Sequence, residues 1–125
     1  MILIIGGAYQ GKLTYAMERL GLMEAGVYRC GHDTAMPSGK KIIYGLDQWI
    51  LAMTKADMDV PEAIERFIQH NAEAAVICDD ISCGVVPMDA EMRKWREETG
   101  RSLAVLSRHA EEVIRLFCGI ATRIK

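Results

Sequence analysis

Long apolar runs are missing from this chain, and their absence excludes a membrane-spanning helix, which needs about 18 or more consecutive apolar residues. The opening run Met1–Ile5 is also too short, and too poor in basic residues, to be a secretory signal. Cysteine is sparse: Cys30, Cys78, Cys83 and Cys118 form no C-x-x-C pair. A zinc site or disulfide framework is therefore not expected, and buried thiols in an intracellular, cytoplasmic protein fit the pattern. Neither sign of charge dominates, with 15 Lys and Arg against 17 Asp and Glu and a formal net charge of −2, so a nucleic-acid surface is excluded as an expectation. The densest basic cluster (Arg93, Lys94, Arg96) alternates with Glu91, Glu97 and Glu98, the pattern of a solvated helix face. Internal repeats, low-complexity tracts and linkers are absent too. At 125 residues the chain has the length of one domain, residues 1–125, built on a single core.

What is there is concentrated at the start. Met1–Ile5 runs directly into Gly6-x-x-x-x-Gly11-Lys12, the spacing of a loop that cradles phosphate groups. Glycine at both ends lets the backbone curl so that successive N–H groups face one anion. Lys12 supplies a mobile point charge for the β- and γ-phosphates, and the helix that follows presents its positive end. Gly6, Gly7, Ala8, Tyr9, Gln10, Gly11, Lys12, Leu13 and Thr14 are the expected nucleotide-binding set. One position departs from the pattern: the residue after the lysine should carry a hydroxyl for Mg²⁺, and it is Leu13. Thr14 follows, but one residue is a rotation of about 100° along a helix, which should turn its hydroxyl away.

The remaining pattern alternates strand and helix. Helices are expected from Lys12 to about Met23, with Tyr15, Ala16, Leu20 and Met23 inward, over Leu46–Thr54, from an Asp59 cap onward, and from Asp89 to about Ala110 with a break at Gly100. Strands are expected at Val27–Cys30, Lys41–Tyr44, Ala74–Cys78 and Val113–Cys118, with an edge strand over Ala121–Lys125. Four alternations imply an α/β fold: a three-layer P-loop NTPase-like domain, its sheet mostly parallel with helices on both faces and the first strand central. Sites in such sheets lie beyond the carboxyl ends of the strands. Those ends bring Lys12, His32, Asp47, Asp79 and Asp80 into play: Lys12, Asp79, Asp80 and His32 as catalytic candidates, Asp47, Asp79 and Asp80 as metal carboxylates. His70 and His109 read as surface residues, and Trp49 and Trp95 as packing.

Several segments together resemble the bifunctional adenosylcobinamide kinase / adenosylcobinamide-phosphate guanylyltransferases of cobalamin biosynthesis. Ile5-Gly6-Gly7-Ala8-x-x-Gly11-Lys12 is similar to that family's Gly-Gly-Ala-x-Ser-Gly-Lys-Ser opening. Cys83-Gly84-Val85-Val86-Pro87 is similar to its Gly-x-Gly-(Ile/Val)-Val-Pro loop. Gly100-Arg101, Glu112-Val113, Gly119-Ile120 and Arg123-Ile124-Lys125 follow its final helix and strand. The resemblance implies GTP or ATP as the nucleotide, a cobinamide-type substrate and a homo-oligomer, a trimer.

The middle departs from that family. The long segment that bears its guanylylated histidine has shrunk to Gly31–Lys40, where His32 follows the strand closely and does not take over that role. The family's acidic residue after the third strand corresponds to Tyr44, with Asp47 one helical turn on, and its Asn-Glu after the fourth strand corresponds to Asp79-Asp80. The expectation is a nucleotide-binding relative without the guanylyl-transfer step, in which any phosphoryl transfer depends on Asp79, Asp80 or Asp47 holding Mg²⁺. The alternative is a catalytically inactive homologue serving as a binding or assembly module.

Overall fold

The computed structural model describes residues 1–81 and 89–125. The first apolar run forms β1 (Ile2–Gly6), and its side chains alternate between two buried faces, Leu3 on one and Ile4 on the other, as a strand inside a parallel sheet requires. There follow α1 (Lys12–Leu20), β2 (Val27–Arg29), β3 (Ile42–Tyr44), α2 (Leu46–Lys55), α3 (Val60–His70), β4 (Ala75–Asp79), α4 (Ala90–His109), β5 (Glu112–Phe117) and β6 (Ile120–Arg123). Among the described residues these strands form one sheet in the order β2-β3-β4-β1-β5-β6. Every neighbouring pair is parallel except β5 with β6. The first strand is therefore internal, with Gly6 level with Asp79 on β4.

The sheet is covered on both faces, but unequally. On one side α1 buries Ala16 against Ile4, Ile42, Ile77, Ile114 and Leu116. On the other, Leu46, Ile50, Met53, Phe67 and Leu106 from α2, α3 and α4 close over Leu3, Ile43, Val76 and Val113. Phe67 is completely buried, with its ring 5.5 Å from that of Trp49.

Local chemistry explains the helix ends. Asp59 accepts a hydrogen bond from the Glu62 amide, and Pro61 occupies the first turn, where a missing N–H costs nothing. Asp89 accepts from the amides of Glu91 and Met92 in the same way. At the end of α1, Gly21 (φ 63°) closes the helix in a left-handed cap, its N–H bonded to Glu18 O.

That cap corrects the expected extent of α1. The helix stops at Leu20, and Leu20 and Met23, expected inward, are exposed, while Leu22 folds back against the α1 side of the core. Gly100 makes no break either: α4 is continuous over Ala90–His109. The cost of about 1 kcal/mol for a helical glycine is outweighed by the packing of Trp95, Leu103 and Leu106 on the core. The edge strand is Ile120–Arg123 rather than 121–125. The expected loop after Ile81, including the Cys83–Pro87 motif, lies outside the described residues.

The connection from β2 to β3 contains no helix. Residues 31–40 run as a strap pinned from the α2–α3 side: the Trp49 indole N–H donates to Thr34 O, and Asn71 Nδ2 donates to Pro37 O at 3.0 Å. Pro37 is buried and Met36 packs against the core.

Candidate functional site

The phosphate loop starts where β1 meets β5 at close quarters. Gly6 has φ +155°, and a Cβ there would stand 2.5 Å from Leu116 O, so only glycine fits. The backbone then crosses Tyr9 (φ 61°) and Gly11 (φ 85°) before entering α1 at Lys12. No side chain caps this helix start. Among the described residues, and apart from the turn over Ala8–Tyr9, no backbone carbonyl makes a well-formed hydrogen bond to the amides of residues 7–13. A run of unpaired amides at the positive end of a helix is the arrangement that binds an anion.

Residues 8–14, together with Tyr44 and Asp79, enclose a cavity of about 250 Å³. Lys12 is 96% buried in its floor: its Nζ lies 2.7 Å from Asp79 Oδ1 and donates to Gly7 O. Thr14, expected to turn away, is exposed and still borders the cavity. Leu13 borders it too, but also packs against the apolar cluster under α1, so the position that should offer oxygen to a metal joins the core instead.

The carboxylates are layered. Asp79 stands at the cavity wall at the end of β4, while Asp80 donates its amide to Gly6 O. Asp47 is buried behind them. Its Oδ1 accepts from the Asp79 amide at 3.1 Å, and its Oδ2 accepts from Gln48 Nε2 at 3.2 Å. The Trp95 indole N–H donates to its carbonyl. Burial pushes the Asp47 carboxyl above the usual carboxylate range, partly opposed by the Asp79 amide. Asp47 does not border the phosphate cavity; it supports the strand end that carries Asp79. Among the described residues no three His, Cys, Asp or Glu side chains are grouped closely enough to share a metal ion.

His32 is exposed on the strap and takes no part in lining the cavity. His70 and His109 are exposed as well. Burial pushes the Cys30 thiol up to about 12 and the Cys78 thiol well above its ordinary value, so both behave as small apolar groups. Cys118 corrects the expectation of buried cysteines, for it is exposed in the β5–β6 turn.

Two contacts had no local signal in the sequence. The Cys118 amide donates to Gln10 Oε1, tying the lip of the phosphate loop to the β5–β6 turn across 108 residues. The Arg29 guanidinium lies 5.2 Å from the ring centre of Tyr44, which steadies the aromatic wall of the cavity. A larger groove of about 550 Å³ between α3 and α4 is lined by Ile64 and Val105 and shares no residue with the loop.

Among the described residues no helix is long and apolar enough to cross a membrane. No curated protein matches the chain. The family model for cobinamide kinase / cobinamide phosphate guanyltransferase matches residues 38–124, a stretch that carries Asp47, Asp79 and Asp80 and starts after the phosphate loop. That match spans 87 of the 125 residues, and the α/β sheet with a glycine-rich loop between its first strand and helix is the architecture expected of it: this chain belongs to the cobinamide kinase / cobinamide phosphate guanyltransferase family.

Proposed function

We propose that this family member binds a nucleoside triphosphate, GTP or ATP, at Gly6–Thr14 and lacks the guanylyl-transfer step. The observation that carries the reading is the loop itself, with open amides over residues 7–13 (the Ala8–Tyr9 turn apart) and the ammonium of Lys12 buried beside them. The cavity of about 250 Å³ is smaller than the roughly 300–1,000 Å³ of sites that enclose a whole drug-sized ligand. It suits the phosphate chain, with the nucleoside lying outward past Tyr9 and Tyr44. A cobinamide-type acceptor would approach from the same open side.

Guanylyl transfer through a phosphoramidate needs an imidazole in line with the α-phosphate. His32 is exposed on a strap outside the cavity lining, and a misplacement of about 1 Å already costs around a hundredfold in rate. A second reading, a non-catalytic binding module, draws on the same corner of the site, because Leu13, which packs against the core, offers no oxygen to a metal.

Calorimetric titration with GTP and ATP tests the proposal. Binding is expected in the wild type and should weaken at least tenfold, ~1.4 kcal/mol, in Lys12→Ala. Absence of binding at millimolar nucleotide overturns it. Intact-mass spectrometry after incubation with GTP and Mg²⁺ should show no added GMP; an adduct abolished by His32→Ala makes His32 a relocated nucleophile.

A further inference from the structure

We infer that the phosphate loop works without a metal ion held by the protein, and that Asp79 is its internal competitor: the carboxylate occupies Lys12 until an anion displaces it. The inference rests on the proposed triphosphate site and concerns how that site is regulated.

Three observations converge on it. The position that should give a metal its hydroxyl ligand is Leu13, packed against the apolar cluster under α1. The acidic residues nearby are already engaged: both Asp47 oxygens accept hydrogen bonds, Asp79 Oδ1 is paired with Lys12, and among the described residues no three ligating side chains are grouped. The residues present therefore do not fit a bound Mg²⁺. Third, Asp79 Oδ1 lies 2.7 Å from Lys12 Nζ, and the Asp47 carboxylate fixes the Asp79 backbone in register with Gly6.

A buried ammonium must be paired, so Asp79 supplies in the empty cavity the negative charge that a phosphate supplies in the filled one. An incoming phosphate oxygen that takes Lys12 leaves two anions against one cation. Asp79 then turns to the solvent side, where it is already one-third exposed. The ligand class that gains most is a polyanion dense enough to outcompete a carboxylate: a triphosphate or tripolyphosphate rather than a monophosphate.

The test is calorimetry with inorganic tripolyphosphate and with GTP, in EDTA and in Mg²⁺, on the wild type, Asp79→Asn and Asp79→Ser, each verified as folded by circular dichroism. Wild-type affinity should change by less than about threefold between the two buffers, and the Asp79 variants should bind about tenfold tighter in EDTA. If Mg²⁺ strengthens wild-type binding tenfold or more, a metal site exists and the inference is wrong. Unchanged or weaker binding by both variants overturns the competitor role while leaving the phosphate loop in place. No binding by any form in either buffer overturns the triphosphate reading together with the inference.

Discussion

Residues 6–12 and residues 31–40 are both irregular connections that follow a strand, yet different partners hold them. The phosphate loop is held through its carbonyls and one side chain: Gly6 O accepts from the Asp80 amide, Gly7 O from Lys12 Nζ, and Gln10 Oε1 from the Cys118 amide. The strap has carbonyls taken by core side chains, Thr34 by Trp49 and Pro37 by Asn71. A connection with donors to spare is shaped for a ligand, whereas one pinned by core side chains is part of the wall. The same contrast bears on the proposed loss of guanylyl transfer: Pro37 of the strap is buried in the wall, and His32 is exposed and does not line the cavity.

The contrast can be broken first at the loop's edge. Gly6→Ala forces a Cβ to 2.5 Å from Leu116 O at a backbone angle that L-residues avoid. The expected result is a loss of ~3 kcal/mol or more of stability, read as a fall in denaturation midpoint, together with loss of phosphate binding. At the strap, Asn71→Ala removes the donor to both Pro37 O and Phe67 O. It should cost about 1–3 kcal/mol and leave tripolyphosphate affinity unchanged, since the strap does not line the cavity. Equal damage to binding in that variant would erase the distinction between wall and site.

The smallest effect concerns Asp47. Its carboxyl is raised in the folded state, chiefly by burial, so the folded protein binds more protons than the unfolded one in the window just above the ordinary aspartate range. Stability contributed by the protonated group is lost as pH rises through that window. Asp47→Asn keeps an oxygen for the Asp79 amide and removes the buried charge. Melting temperature should be slightly higher than wild type at pH 7, with the difference fading as pH is lowered toward 4. A variant less stable than wild type at pH 7 would show that the charge itself is needed to hold Asp79.

The two regions also differ in how far they can be read from sequence. The loop's place between β1 and α1 was legible because its determinants are local: glycine spacing and an apolar run before it. The same holds for the caps at Asp59 and Asp89, each a side chain bonded to amides two or three residues on. What escaped reading is long-range. Nothing near Asn71 announces a partner at Pro37, and nothing near Gln10 announces Cys118. Asp47 follows a strand's carboxyl end beside other acids, and sequence alone does not show that it is buried behind Asp79. Gly100 reads as a break because sequence shows its propensity cost and hides the packing that outweighs it.

The strand order also fixes when the phosphate loop becomes a loop at all. β1 leaves the ribosome well before its neighbours β4 and β5, which begin at residues 75 and 112, and the turn that grips Gln10 follows β5. Pairings of such long range are slow to form. The glycine-rich segment therefore gains both of its flanking strands only after residues more than a hundred positions further along have been made.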